Sequence, residues 1–148
     1  GIIRLGRNVS INSGDKFNII GRNQTTSFIV HGGSLIVKDN VGMSSVVIVC
    51  RNNIIIDDYV LIGGGTVIYD TDFHSLDAND RKHPQLDREN AKKGSVLIGR
   101  ESFIGANSTI LKNTTIGSSA IIGACSVVSG KQIEEREIWA GNPAIRLS

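Results

Sequence analysis

Ile98, Ile104, Ile110, Ile116, Ile122 and Val128 follow one another at intervals of six residues without a break. The residue after each is, in turn, Gly99, Gly105, Leu111, Gly117, Gly123 and Ser129. Four places after the aliphatic residue stand Ser102, Ser108, Thr114, Ala120 and Ser126, all small. A period of six fits neither an amphipathic helix nor the alternation of an ordinary strand. It fits a short strand, a corner and another short strand. The aliphatic side chain fills the interior, and the small residue sits where the interior is narrow. Glycine serves where the corner backbone takes an unusual φ or approaches its neighbour closely. Three such sides close a coil of about 18 residues. Ile98 then stacks under Ile116, Ile104 under Ile122 and Ile110 under Val128, in parallel strands about 4.8 Å apart.

The frame extends upstream through Ile56, Ile62 and Ile68, with Val60 and Thr66 as the small companions. Cys50 lies six before Ile56 and reads as a small apolar core residue. Residues 1–49 carry short apolar runs (Ile19-Ile20, Phe28-Ile29-Val30, Leu35-Ile36-Val37, Val46-Val47-Ile48-Val49) between Gly, Asn and Asp turns, in drifting register. They are expected to form irregular coils of the same solenoid. The 148 residues suffice for one domain, 1–148, whose fold is all-β. Aromatics are only 5%, so Val, Ile and small residues must fill the core, and Val and Ile favour strands.

The ladder breaks once. Between Ile68 and Ile98 its positions are His74, Asp80, Leu86 and Lys92, of which one is aliphatic. Residues 70–94 are therefore expected to protrude as a long polar loop, and loops of that length in compact domains usually carry function. After Val128 the ladder ends. Glu134 to Glu137 reads as a solvated exit, and residues 131–148 as a closing segment in which Trp139 seals the last coil.

The net charge of +2 and the lack of a basic, aromatic-interleaved stretch argue against a nucleic-acid partner. No apolar run approaches the roughly 20 residues of a membrane span, and no leader peptide is visible at Gly1. Cys50 and Cys125 form no C-x-x-C and no zinc spacing. Two thiols fit a reducing, cytoplasmic setting.

Three blocks resemble the hexapeptide-repeat acyltransferases, in particular the maltose, galactoside and xenobiotic O-acetyltransferase branch. The first is Asp70-Thr71-Asp72-Phe73-His74-Ser75. The second runs from Val96-Leu97-Ile98-Gly99 through Phe103-Ile104-Gly105-Ala106 to Ile122-Gly123-Ala124-Cys125-Ser126-Val127-Val128. The third is Ala140-Gly141-Asn142-Pro143-Ala144. Spacing gives a solenoid without its hand. The resemblance implies a left-handed parallel β-helix with one protruding loop, although parallel crossovers are generally right-handed. It further implies transfer of an acetyl group from acetyl-CoA to a hydroxyl of a sugar or saccharide-like acceptor, with no metal required. It implies a homotrimer with acetyl-CoA bound between coils at subunit interfaces, partly covered by the protruding loop of one subunit.

Acetyl transfer to a hydroxyl needs a base, and a neutral histidine suits that task near pH 7. His74 stands where the loop leaves rigid scaffold, and the catalytic histidine of the resembling family occupies the corresponding loop. His31 lies in a His-Gly-Gly turn and His83 at a solvated loop tip beside Pro84. Asp72 and Asp70 can orient the imidazole, contact the acceptor or simply form turns. By resemblance, the Ala106 amide at the corner after Gly105 donates to the oxyanion. Small Gly105, Gly123 and Ala124 let pantetheine lie along the backbone, with Phe103 packing against it. Ser129, Lys131, Pro143 and Arg146 are expected near the rest of the coenzyme. Departures from the family are Gly130 inserted before Lys131, Ile145 where a basic residue is usual, and Asn113 at a corner where glycine is usual, which asparagine tolerates. Two other readings use the same solenoid. A γ-class carbonic anhydrase needs three histidines converging on a metal, and a binding module needs no chemistry at all.

Overall fold

Backbone hydrogen bonding in a solenoid must run from coil to coil, because a strand this short has no partner within its own coil. The computed structural model describes residues 1–16 and 18–148 and shows this arrangement. The first coil holds β1 (Ile2–Leu5), β2 (Ser10–Asn12) and β3 (Ser27–Val30). The second holds β4 (Ser34–Val37), β5 (Gly42–Ser44) and β6 (Val47–Cys50), and the third β7 (Asn53–Ile56), β8 (Leu61–Ile62) and β9 (Val67–Tyr69). After the protruding loop come β10 (Val96–Ile98), β11 (Phe103–Ile104) and β12 (Thr109–Leu111), then β13 (Thr114–Ile116), β14 (Ile121–Ile122) and β15 (Val127–Val128). The closing segment adds β16 (Gln132–Ile133), β17 (Ile138–Gly141) and β18 (Ala144–Arg146).

These strands form three sheets, the sides of a triangular prism. Sheet A is ordered β1-β4-β7-β10-β13-β16, sheet B β18-β17-β14-β11-β8-β5-β2, and sheet C β15-β12-β9-β6-β3. All pairings are parallel except that of β17 with β18. The ladder residues stack as expected. Val37, Ile56, Ile98, Ile116 and Ile133 make one buried column. Met43, Ile62, Ile104 and Ile122 make a second. Ile48, Ile68, Ile110 and Val128 make the third.

The small residues bind as well as fit. Ser102 Oγ donates toward Gly99 O and Gly117 O at 2.6 and 2.9 Å, and Ser108 Oγ toward Gly105 O and Gly123 O at 2.8 and 3.2 Å. Each hydroxyl thus ties its own corner to the corner above. Corner glycines are required by contact. A Cβ on Gly99 would stand 2.7 Å from Ile116 O and 2.8 Å from Ser118 N. Several corners take a positive φ without glycine, including Asn107, Asn113, Ser119 and Cys125 at 57–60°.

Three expectations change. The drift over residues 1–49 is a change of coil length. Val37 sits beside Ile56 and Ile48 beside Ile68, so a full coil there exceeds three hexads. Cys50 is buried as expected, yet its six-residue distance to Ile56 is fortuitous, since Ile48 is the ladder residue of its strand. The ladder does not end at Val128. It continues through Ile133, paired with Ile116, and Trp139, paired with Ile122, in a coil shorter than three hexads. Trp139 packs over the end of the core. Within the supposed solvated exit, Glu137 is buried. It accepts hydrogen bonds from Glu134 N and Trp139 Nε1 and pairs with Arg146.

Inward and outward positions on one strand should differ sharply. Ile110→Ala is expected to cost about 2–5 kcal/mol in denaturant unfolding, and Thr109→Ala on the outer face less than about 0.5 kcal/mol.

Candidate active site

The protruding loop leaves the prism on the edge where sheet C turns into sheet A. Asp70, fully buried, accepts from the amides of Arg51 and Asn52 at 2.7 Å each and so anchors the departure to the coil below. The two strands of the loop's neck then pair. Gly94 N donates to Asp70 O and Asp72 N to Lys92 O, both at 2.9 Å, around an antiparallel bridge between Thr71 and Lys93. Asp72 meets Lys112, on the coil above, in an ion pair of 2.5 Å. Phe73 follows at φ 65°, its ring edge-on to Tyr69 at 5.0 Å. A bulky residue in that region is strained, and such strain clusters at functional sites.

His74 comes next, and its Nδ1 lies 2.6 Å from Asp87 Oδ2. Asp87 belongs to a short helix, α1 (Pro84–Asn90), preceded by a 3₁₀ turn at Asp80–Lys82. The expected polar loop therefore contains a helix. Its signals are Pro84 at the first helical position and Asp87 in the first turn. The second Asp87 oxygen accepts from Ser75 N at 2.8 Å, and Ser75 Oγ donates to Asp80 at 2.7 Å. The hydrogen bonds from His74 and Ser75 hold the Asp87 carboxyl below its ordinary value of 3.8. The imidazole side chain is 69% exposed while that of Asp87 is 11% exposed. A covered carboxylate thus orients an open ring, fixing the proton on Nδ1 and leaving Nε2 free to accept one.

Asp87 was invisible in the sequence pattern, because the acid that orients the ring lies 13 residues away across a turn. Asp72, the expected candidate, is engaged by Lys112 instead. His83 is exposed at the start of α1, and His31 is exposed on the first coil. No group of three or more His, Cys, Asp or Glu side chains is placed to hold a metal among the described residues. The buried Cys50 thiol is pushed up to about 11 by burial and by the neighbouring Asp70 carboxylate.

A second set of residues lies on the edge between sheets B and C. Its corners are Gly63–Gly65, Gly105–Asn107 and Gly123–Cys125. Each corner leaves one amide without an acceptor among the described residues: Gly64, Ala106 and Ala124. The edge between sheets A and B repeats this at Arg100 and Ser118. What singles out the B–C edge is that its free amides belong to glycine and alanine, whose own side chains leave them uncovered. Phe103 stands beside this edge, exposed on sheet B, and Pro143 tops it in the hairpin turn.

Apart from Arg146, the site residues expected from the sequence fall into two groups. Phe103, Gly105, Ala106, Gly123, Ala124 and Pro143 gather on or beside the B–C edge. His74, Asp72, Ser129 and Lys131 gather on the C–A edge. Sheet C separates them, a span of up to about 20 Å for the stretch from Ala106 to Lys112. Lys131 Nζ sits 5.9 Å from the centre of the Trp139 ring, and Arg146 pairs with Glu137 at 3.0 Å.

Residues 95–130 match the family described as bacterial transferase hexapeptide, six repeats. No curated protein sequence matches the chain. Solved structures do. A hexapeptide-repeat-containing acetyltransferase from Vibrio cholerae O1 biovar eltor, complexed with acetyl coenzyme A, is 25% identical. Its TM-score is 0.75, over 98% of this chain and 69% of that one. A maltose O-acetyltransferase from Clostridium difficile 630 is 23% identical, with a TM-score of 0.68 over 97% and 67% of the two chains. A galactoside acetyltransferase in complex with coenzyme A is 23% identical, with a TM-score of 0.71 over 95% and 63%. The fold is the left-handed parallel β-helix of these hexapeptide-repeat acetyltransferases, as the sequence blocks implied.

Because its folded value is lowered, Asp87 stabilises the loop above the ordinary carboxylate range, and that contribution is lost only as pH falls through the lowered value. The Ser75 amide should stay protected from hydrogen exchange from neutral pH through 3.8 and lose protection only as pH falls through the lowered value.

Proposed function

We propose that this chain is an acetyl-CoA-dependent O-acetyltransferase acting on a hydroxyl of a sugar or saccharide-like acceptor. It works as a homotrimer whose sites form between copies. The observation that carries this reading is the His74–Asp87 pair on one edge and the open row of unpaired amides on another. Either half alone is incomplete. Setting the C–A edge of one copy against the B–C edge of the next brings both halves together, and a threefold arrangement repeats that junction and closes.

The Vibrio relative holds acetyl coenzyme A, and the B–C edge suits the same co-substrate. Pantetheine is thin, and Ala106, Ala124 and the neighbouring glycines leave a shallow, continuous track for it. In the reaction, His74 Nε2 takes the proton from the acceptor hydroxyl as its oxygen bonds to the thioester carbonyl carbon. The carbonyl oxygen gains the negative charge, and the Ala106 N–H is aimed at it. A preorganised donor of this kind contributes about 3 kcal/mol to the transition state. Collapse breaks the carbon–sulfur bond, and the imidazolium returns the proton to the departing thiolate. Asp87 stabilises the imidazolium between these steps. The Ser129 hydroxyl and the Lys131 ammonium of the facing copy are the candidates for the coenzyme's phosphates. Lys131 would act as a point charge leaving its Trp139 ring. Arg146 can contribute only by giving up Glu137. A cytoplasmic location, where acetyl-CoA and reduced thiols coexist, belongs to this reading.

His74→Ala is expected to cut thiol release from acetyl-CoA by about 10²–10⁴-fold with an unchanged melting temperature. Retained turnover would remove His74 from the base role. Mixing unfolded His74→Ala and Ala106→Pro chains and refolding them together should restore part of the activity that neither variant has alone. Failure of the co-refolded chains to complement would place the site within one copy. Calorimetry on the wild type should show acetyl-CoA binding.

A further inference from the structure

The B–C edge is not equally open along its length. Between β2 and β3, residues 18–24 run along this edge. Asn18 Nδ2 donates to Ser45 Oγ at 2.6 Å, and Gln24 Nε2 to Ser45 O at 3.3 Å. Ile20 Cδ1 fills the space a side chain on Gly64 would need, and Arg22 Cγ lies 3.1 Å from the same point. Gly64 is consequently buried, Ala106 on the next corner is half-buried, and Ala124 beyond it is exposed. Ala106 is the first free amide of the row that a ligand can reach.

Direction follows from this. With the thioester carbonyl at Ala106, pantetheine has open track only toward Ala124 and Pro143. The Gly64 end of the edge is itself covered, so the acceptor's way in lies beside it, over the outer face of sheet B at the coil that carries Gly63. There the outer face of sheet B holds a cavity of about 350 Å³ that Gly63 borders, within the range of small-molecule sites. Gly42, lacking a side chain, opens it. Leu61 and Phe103 offer an apolar wall, and Ser10, Asn12 and Ser44 offer hydroxyl and amide groups. That pairing matches a sugar ring, with apolar CH faces and a hydroxyl rim.

Arg22 packs over the Gly64–Gly65 corner, which follows directly on Gly63 at the border of this cavity. Its Nε is 3.9 Å from where a Gly65 Cβ would lie, and Asn107 Oδ1 is 2.5 Å from the same point. The residue is half-buried, and its guanidinium has no ion pair or hydrogen bond among the described residues. A packed stem with an unpaired head next to the reacting corner is prepared for an anion, for which the planar fork of arginine gives charge-assisted, bidentate hydrogen bonds.

We propose that the acceptor binds in this cavity and that Arg22 selects a saccharide carrying an anionic group, a carboxylate or a phosphate. The proposal rests on the acetyltransferase reading and deepens it. Thiol release from acetyl-CoA is measured with glucose, glucuronic acid and glucose 6-phosphate, and with the three corresponding galactose compounds. A charged compound is expected to exceed its neutral parent at least 10-fold in kcat/KM, and its identity distinguishes carboxylate from phosphate. Arg22→Gln is expected to reduce that preference below 3-fold through the acceptor KM, with acetyl-CoA affinity by calorimetry unchanged. Asn12→Trp, which fills the cavity from its polar wall, is expected to raise the acceptor KM at least 10-fold without changing acetyl-CoA affinity. Equal use of neutral and charged compounds, a preference that survives Arg22→Gln, or no turnover of any charged compound by wild type that binds acetyl-CoA would overturn the proposal. Failure of wild type to bind acetyl-CoA would instead remove the reading beneath it.

Discussion

Backbone lies on backbone at the corners of this prism, and everything else is arranged around that contact. A Cβ on Gly105 would fall within the Gly123–Ala124 backbone, as one on Gly63 would within Gly105–Ala106. Coils can therefore approach to strand-pairing distance at their bends as well as along their sides. No glycine Cβ stands between the coils at these corners, and the interior columns set aliphatic residue on aliphatic residue. The same stacking turns one amide per corner away from its neighbours. The proposed function draws on a by-product of the repeat: the turned-out donor recurs from bend to bend, is taken by a carboxylate at Asp39 and Asp58, and becomes useful only where glycine and alanine leave it uncovered.

How far the fold could be read from the sequence depended on this contact too. Where a coil is three full hexads, from β10 through β15, corner and column spacing coincide, and the ladder from Ile98 to Val128 was fully legible. Upstream, the longer coils that set Val37 beside Ile56 and Ile48 beside Ile68 add length at the corners while keeping the columns. Hydrogen-bonded stacking tolerates an enlarged corner, but counting in sixes does not, and Cys50 was buried for a reason other than its spacing. Beyond Val128 the coil shortens and tryptophan replaces an aliphatic residue, so the last turn looked like an exit.

The candidate site was legible in part for a related reason. His74 stood out because it interrupts a periodic pattern on rigid scaffold. Asp87 did not, because its relation to His74 is made by a helix that begins only at Pro84. Asp72 lies closer in sequence, and proximity suggested it, but the neck pairs its side chain with Lys112 on the coil above. Distribution over edges was equally hidden. Six-residue spacing shows which residues bend and which point inward, whereas edge membership requires the coil count, which the loop of residues 70–94 obscures.

The hairpin of β17 and β18 carries a consequence of its own. Parallel stacking is self-templating: the top of one coil is the shape that the bottom of the next coil needs, and exposed strand edges invite further pairing. Here β18 occupies the outermost place in sheet B and runs against the direction of every other strand in it. Sheets A and C finish in strands of only two residues, β16 and β15, which offer little to pair with. Trp139 closes the interior beneath them. A second molecule settling on this end would find one side reversed and two sides too short, so the architecture that most resembles a fibril ends in a device that blocks end-to-end growth.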